Sequence, residues 1–182
     1  DGLLVATVGG TEVSFTTVTS VITPANVNIC VEAVDVVLGA AAQACCTIGI
    51  GAAANDQCAN QLPLVVGINA FDSTAAATDG QSLAGSTCVL GFGNDQVESD
   101  LFYCFTAPAD GLVRMDMLAS QFDTRIAVYD GCACPDDPAF VVICNDDFGG
   151  TLQSQVEFIA VSGQSYLVRV GGYNPGGGVG EV

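Results

Sequence analysis

Oxygen-bearing side chains concentrate in two turn-like stretches in the second half of the sequence. Five of them are the candidate metal ligands: Asp123, Asp130, Asn145, Asp146 and Asp147. Neighbouring carboxylates repel one another unless a cation or water screens them, and calcium takes about six to eight oxygen ligands from carboxylates, carbonyls and water. These residues therefore predict a calcium site. The alternative is an acidic loop that water alone solvates, because Asp is also a common turn residue.

The same residues do not predict an EF-hand or an enzyme site. An EF-hand loop that began at Asn145 would need Glu at its last ligand position, where Val156 stands. The adjacent Asp146 and Asp147 could suggest a glycosidase, but the sequence has no Trp and only 7% aromatic residues from which to build a sugar cleft. It also has no His and no Lys, which removes Ser-His-Asp catalysis, His-ligated zinc and a Walker-A phosphate loop. We therefore predict a protein that is not an enzyme.

The charge of the chain is strongly one-sided. There are 20 acidic residues and 3 basic ones, which gives a formal net charge of -17. A field of that sign repels phosphate backbones and excludes nucleic acid as a partner. Two of the three cations, Arg125 and Arg169, lie inside strand-like segments. We predict that they pair with acids inside the fold rather than bind an anion.

The chain has 9 cysteines and no CxxC pair. Without His, a zinc site would have to be built from thiolates alone, so disulfides explain these residues better and indicate an oxidising compartment outside the cytoplasm. We expect a secreted protein that is extracellular or at the cell surface. The sequence begins at Asp1 with no basic region ahead of an apolar segment, which we interpret as a mature form whose signal peptide has been removed.

All nine cysteines are disulfide candidates. The expected pairs are Cys144 with Cys132 or Cys134, Cys58 with Cys88 or Cys104, and Cys30 with Cys45 or Cys46. The first pair is expected because only a short excursion separates the two turns that carry it. Because nine is odd, at least one thiol has no partner within the chain.

From residue 55 onward, short strand-like runs alternate with Asp, Gly, Asn and Pro turns, with a spacing of about ten to twelve residues and no convincing helix between them. This rhythm is typical of an antiparallel β-sandwich. We predict an all-β domain over residues 55–182. The residues expected in its core are Val113, Met115, Ile126, Val128, Val142, Val156, Phe158, Val168 and Val170.

Residues 1–54 form a predicted N-terminal extension. Residues 3–8 and 11–22 are rich in Val, Thr, Ile and Phe and are expected to form strands. Residues 25–54 are ambiguous between a short helix and strands. The uncharged stretch 36–54 approaches the length of a membrane span, but it is mostly Ala and Gly and has no flanking Lys or Arg. We therefore expect no membrane span there, and a buried or subunit-contact role instead.

A series of longer motifs covers the predicted domain. In chain order the motifs are NDQCANQLPL, AFDSTAAATDG, DLFYCFTAP, FDTRIAVYDGCACP, ICNDDFGG and LQSQVEFIAVSGQSYLVRVGGYN. The series resembles a family of secreted bacterial β-sandwich domains related to the bacterial pre-peptidase C-terminal (PPC) domain. The resemblance implies a jelly-roll-like β-sandwich of exported proteins with no catalytic machinery of its own. Family members tend to carry further cysteines where this chain has Ala109, Leu118 and Gly149, which implies that some family bridges are missing.

Two classes of function agree with these observations. The first is an extracellular structural protein: a self-assembling subunit of a filament, sheath or matrix, built on a calcium-bound, disulfide-bonded β-sandwich. In this case residues 1–22 complete a sheet edge of a neighbouring copy by donor-strand exchange, or else fold back on their own sandwich. The alternative is a non-catalytic accessory module for cell adhesion or carbohydrate binding, with a cell-surface glycan as its partner. The long aliphatic extension favours the first class, because a small binding module has little need for it.

Overall fold

The structure, a computed structural model, describes residues 25–34, 41–50, 53–86, 88 and 94–182, and for the first two ranges it describes the backbone. The strands expected at 3–8 and 11–22 lie outside these residues. Within the described ranges no helix is long and apolar enough to cross a membrane.

Two of the described strands belong to the N-terminal extension. Strands β1 (Ala25–Val34) and β2 (Ala41–Ile50) form an antiparallel ribbon in which Ala25 faces Ile50 and Val34 faces Ala41. The ambiguity over this region is thereby resolved in favour of strands. With three Val and one Ile, β1 has high strand propensity, and pairing along its whole length overrides the helix preference of the alanines in β2.

The remaining strands build the predicted domain. They are β3 (Leu62–Leu64), β4 (Ala70–Asp72), β5 (Glu98–Thr106), β6 (Gly111–Asp116), β7 (Thr124–Asp130), β8 (Val141–Asn145), β9 (Gln155–Ala160), β10 (Ser165–Gly172) and β11 (Val179–Glu181). Five of them form one sheet in the order β3-β5-β10-β7-β8, antiparallel except where β3 meets β5. Two antiparallel pairs, β6-β9 and β4-β11, lie apart from it. The all-β prediction is confirmed, while the jelly-roll connectivity stays a prediction.

The main core lies between the five-stranded sheet and the two strand pairs. Seven of the nine predicted core residues are buried: Met115, Ile126, Val128, Val156, Phe158, Val168 and Val170. They share this core with aromatic side chains of β5, such as Tyr103 and Phe105. Alternation along β6, β9 and β10 explains why sequence pattern located these residues, since every second side chain of a strand points to the same face.

Two predicted core residues are placed differently. Val142 is 45% exposed, because it is the extra residue at a register shift: Val128 pairs with Ile143 and Tyr129 with Val141. Such a bulge turns one side chain away from the face that alternation assigns to it. Val113 is only half-buried and packs at the margin of the core.

The central strands are buried on both faces. A second apolar cluster on the far face of the sheet includes Phe102, Ala127 and Leu167, and Leu83 and Val97 cover it from outside. Consequently β7 and β10 are buried almost throughout rather than at alternate positions. The described segments of this second layer, residues 79–86 and 94–97, are irregular backbone, so their polar groups need partners other than a strand ladder.

Gly171 in β10 has no room for a side chain. A Cβ there would collide with the backbone oxygen of Glu98 and lie 2.7 Å from Cγ1 of Val97. We expect Gly171→Ala to lower the free energy of unfolding by about 1–3 kcal/mol, because the surrounding backbone must shift to accept the methyl group. Urea unfolding would measure the change. An unfolding midpoint equal to that of the parent protein would contradict this close packing.

Candidate metal centre

Three of the five predicted metal ligands meet at one end of the β7-β8 pair. Asp123 immediately precedes β7, whereas Asp146 and Asp147 immediately follow β8. The two strands are antiparallel, and Ile126 faces Asn145, so the start of β7 lies beside the end of β8. One carboxylate oxygen from each Asp lies within 4.8 Å of the others. The pairing register of β7 and β8 brings these three residues together, and a local sequence pattern does not predict such a register.

The three carboxylates differ in their exposure. Asp146 is buried, Asp123 is half-buried and Asp147 is exposed, so the cluster opens to solvent on one side. Burial raises the pKa of the Asp123 carboxyl, and the charges of Asp146 and Asp147 raise it further, against the opposing effect of Arg125. The charged form of Asp123 is therefore disfavoured at this position.

Arg125 holds Asp146 in place. Its side chain is fully buried, and Nη2 donates to Oδ2 of Asp146 at 2.9 Å. Nη1 donates to the carbonyls of Asn94 and Gln96 at 2.8 and 2.7 Å, and the guanidinium lies 4.5 Å from the centre of the Tyr173 ring. Since this one cation already serves several acceptors, it offsets only part of the charge of three carboxylates.

Two carboxylate oxygens at this centre are buried without a hydrogen-bonding partner among the described residues. They are Oδ1 of Asp146, whose residue is only 6% exposed, and Oδ1 of Asp123. A buried charged oxygen without a partner is costly, and native proteins rarely leave one. A cation between the carboxylates would satisfy both atoms at once.

The turn after β8 is held against the start of β7 by short contacts. Ser154 Oγ donates to the carbonyl of Asp146 at 2.7 Å, and the backbone N–H of Ser154 donates to Oγ1 of Thr124 at 2.8 Å. Gly149 and Gly150, with φ of 62° and 86°, allow the chain to reverse between these points. The carboxylates are therefore positioned by a rigid turn on two strands.

Of the other two predicted ligands, Asn145 lies beside the cluster and Asp130 lies at the opposite end of β7. Oδ1 of Asn145 accepts from the backbone N–H of Gln155 at 3.0 Å, and its Nδ2 donates to the carbonyl of Asp147, so this amide braces the turn. Asp130 is the last residue of β7 and accepts a hydrogen bond from Gln164. A strand rises by about 3.3 Å per residue, so Asp130 lies roughly 20 Å from the cluster. It cannot share a metal ion with Asp123.

The remaining donor set suits calcium. Carboxylate oxygens are hard ligands, and a cluster that is buried on one side and open on the other leaves room for carbonyls and water to complete a shell. Asp123, Asp146 and Asp147 would hold the ion, while Arg125 positions Asp146. No sulfur or nitrogen ligand is among the three, which argues against zinc.

A second buried ion pair lies on the far face of the sheet. Arg169 Nε donates to Oδ2 of Asp100, and both side chains are fully buried. Together with the pair of Arg125 and Asp146, this contact confirms the prediction that the strand arginines pair with acids. The sequence did not identify Asp100 as the partner of Arg169. The sequence did indicate that such acids exist, because two arginines inside apolar strands require two acidic partners nearby.

The arginines also supply donors to irregular backbone. Arg169 Nη1 donates to the carbonyl of Gln81 at 2.6 Å and Nη2 to that of Val97 at 2.9 Å. Asp100 in turn accepts from the backbone N–H groups of Asp79 and Gly80, both at 2.9 Å. Through these hydrogen bonds Arg169 and Asp100 hold the irregular segment against the sheet, where no strand ladder does so.

Six cysteines form three disulfides on this side of the molecule. The bonds are Cys58–Cys134, Cys88–Cys144 and Cys104–Cys132, with Cα–Cα distances of 5.7, 5.8 and 5.5 Å. The disulfide-bonded character is confirmed, but two expected pairings are wrong: Cys144 bonds to neither thiol of the CxC motif, and Cys58 bonds to neither Cys88 nor Cys104.

The β7-β8 register explains the first error. Cys144 faces Ala127, whereas Cys132 lies beyond the far end of β7. The distance along the strand is roughly 16 Å, more than twice the Cα–Cα limit of about 7 Å for a disulfide. Each thiol of the CxC turn instead reaches a different partner.

The last three cysteines lie on the ribbon. Cys30 faces Cys45 directly in the β1-β2 register, and Cys46 is next to it. Their side chains lie outside the described part of the chain, so the pairing of Cys30 with Cys45 or Cys46 stays a prediction. The odd thiol of the chain is among these three, because the other six are paired with one another.

No family model, curated protein or solved structure matches this chain. The relation to PPC domains therefore stays a prediction that rests on the motifs quoted above. Arguments about function rest on the chemistry of the described residues.

Proposed function

We propose that this protein is an extracellular structural subunit, whose β-sandwich is bridged by three disulfides and stabilised by calcium at Asp123, Asp146 and Asp147. The observation that supports the proposal best is the pair of buried carboxylate oxygens without partners. Three carboxylates and one guanidinium leave about two negative charges at the centre. A divalent cation would balance them, and calcium accepts the irregular oxygen shells that loops provide.

The disulfides support the extracellular part of the proposal. They join segments 76, 56 and 28 residues apart in the sequence. Bonds of this kind persist in oxidising surroundings and are rare in reduced ones.

The charge of the chain makes self-assembly depend on cations. A net charge of -17 keeps copies apart unless cations lower the repulsion. Calcium therefore links the two parts of the proposal, since it would stabilise each domain and reduce repulsion between domains. The subunit would form a filament, sheath or matrix. Its alternative, an adhesive or glycan-binding module, would bind cell-surface sugar without assembling.

Calcium removal is the direct test of the metal centre. We expect calcium at about one hundred times its dissociation constant to stabilise the fold by about 2.7 kcal/mol. For a domain of this size, this corresponds to a rise in melting temperature of about 5–10 °C. Differential scanning calorimetry with calcium and with chelator would measure the shift.

Two Asp variants make the test specific. Asp123→Asn should lose most of the calcium shift and should be no less stable than the parent in chelator, because it removes like-charge repulsion. Asp130→Asn, at the other end of β7, should keep the full shift. Equal shifts in both variants, or a parent protein that ignores calcium, would refute the metal centre.

Imaging separates the two classes of function. Negative-stain microscopy of the full chain in calcium should show polymers that disperse in chelator. Single particles in millimolar calcium, together with retention on a glycan array, would instead support the accessory-module alternative.

A further inference from the structure

Among the described residues, the layer that faces the five-stranded sheet has a gap. It consists of the β6-β9 pair and the β4-β11 pair, which are not hydrogen-bonded to each other. Between them lies a groove of about 510 Å³, which is lined by the whole of β6, by residues 64–69 and by the end of β11. The groove occupies the place that a further strand would take in a continuous sheet.

One wall of the groove is an unpaired strand edge. Met117 N–H donates to the carbonyl of Ser154, which continues the β6-β9 ladder. Because the N–H and C=O groups of successive residues point to opposite sides of a strand, Met115 and Val113 also bond towards β9. The backbone groups of Leu112, Arg114 and Asp116 therefore point into the groove. They have no strand partner among the described residues.

The groove is apolar at its floor and along its rim. Leu64, Phe105 and Met115 from the main core form part of the floor. Along the rim, large apolar side chains are exposed to solvent: Val65 at 62%, Val66 at 77%, Ile68 at 78% and Leu112 at 64%. An exposed apolar patch beside an open strand edge is a feature of surfaces that bind another chain.

We propose that this groove accepts an extended strand, residues 11–22 of a second copy of the chain, which adds to the free edge of β6. The proposal rests on the proposed function, because it names the contact through which the structural subunits join. Backbone hydrogen bonds from Leu112, Arg114 and Asp116 would give affinity. Alternate side chains of the incoming strand would enter the apolar floor and set its register.

The sequence TEVSFTTVTSVI at positions 11–22 fits such a groove. It is rich in β-branched residues, and over residues 12–16 the apolar Val13 and Phe15 alternate with polar residues, so this part has one apolar and one polar face. Twelve residues extend over about 40 Å, twice the length of the six-residue β6. The run therefore covers the groove with room for adjustment of register.

Charge also favours this segment. Asp110, Asp116 and Glu181 line the groove, so an acidic strand would be repelled. Residues 13–22 carry no charge, and Glu12 is the one acid of the run. A neutral strand is the kind that chains of charge -17 can exchange at low electrostatic cost.

The test compares two substitutions at one position in the full chain. Leu112→Pro removes an N–H that points into the groove and leaves the bonds to β9 intact, since proline is tolerated on a free strand edge. Leu112→Ala removes the same side chain and keeps the N–H. Sedimentation velocity in calcium, over a wide range of protein concentration, measures association.

We expect the parent protein and Leu112→Ala to associate with rising concentration, and Leu112→Pro to associate about tenfold more weakly or not at all. An excess of a synthetic peptide of residues 11–22 should dissociate the parent, and the same peptide with Val13→Asp and Phe15→Asp should not. Equal association of both variants, or failure of the peptide to compete, would overturn the proposal. A parent protein that stays monomeric, with residues 11–22 protected from amide exchange, would also overturn it, because the strand would then fold back on its own sandwich.

Calorimetry distinguishes a failure of the groove proposal from a failure of the proposed calcium site. Leu112→Pro should retain the calcium-dependent rise in melting temperature, since the groove and the metal centre share no residue. Loss of association with the calcium shift intact identifies the groove as the contact. If the parent protein shows no calcium shift but its association is still lost in Leu112→Pro, the groove is supported and the metal centre is not.

Discussion

Asp100→Ala is expected to lower the free energy of unfolding by about 3–5 kcal/mol, a large part of the stability of a domain of this size. Arg169 and Asp100 are both fully buried. Removal of the carboxylate leaves a buried guanidinium without its counter-charge. It also leaves the N–H groups of Asp79 and Gly80 without their acceptor. Both penalties act on the segment that covers the sheet, so that segment should open first.

An exposed pair provides the matched control. Arg114 and Asp116 also form an ion pair, but their side chains are 62% and 33% exposed. Asp116→Ala should therefore cost no more than about 1 kcal/mol. Urea unfolding of both variants, followed by circular dichroism, measures the two changes. Similar losses in the two variants would show that burial does not set the strength of the Arg169 pair.

A double variant separates the ion pair from the backbone contacts of the arginine. Replacing a buried ion pair by apolar residues often costs little. Here Asp100→Leu combined with Arg169→Met should remain destabilised, because the carbonyls of Gln81 and Val97 would lose their donors. Hydrogen exchange should then report faster opening between residues 79 and 86. Recovery of the parent stability would mean that these carbonyls need no partner.

The second large effect is expected from the disulfides. Cys58→Ala combined with Cys134→Ala should lower the free energy of unfolding by about 4 kcal/mol, from the entropy of a loop of 76 residues. The double change avoids leaving a single reactive thiol. It also removes the covalent link between the segment before β3, which carries Cys58, and the turn after β7, which carries Cys134. Chemical unfolding under oxidising conditions measures the loss.

Reduction extends the same test to all three bonds. Their loops overlap, so the three contributions do not add in full, but together they approach the total stability of a typical domain. We expect the fully reduced chain to lose cooperative unfolding at 37 °C. A reduced protein that unfolds at the same urea concentration as the oxidised one would show that the core holds the fold without its bridges.

Local patterns in the sequence were sufficient for the class of fold and the kind of chemistry. Strand alternation and turn residues act over a few positions, and they identified the all-β domain and seven of the nine core residues named above. The residue types were equally informative: acids without His point to hard oxygen ligands, and buried arginines require acidic partners. The bulge at Val142 escaped detection because an inserted residue changes the face of a side chain without changing the local pattern.

Strand register and strand pairing decided which of the acids and cysteines come into contact. Antiparallel pairing of β7 and β8 joins Asp123 to Asp146 and Asp147 and carries Asp130 to the opposite end, although Asp130 is much closer to Asp123 in sequence. The same register keeps Cys144 away from the CxC turn, which is near it in sequence, and Cys144 bonds to Cys88 instead. Among the described strands, the free edge of β6 likewise arises because the β6-β9 and β4-β11 pairs do not join. Each of these is a relation between segments tens of residues apart, which packing of the whole chain selects and no short stretch of sequence encodes.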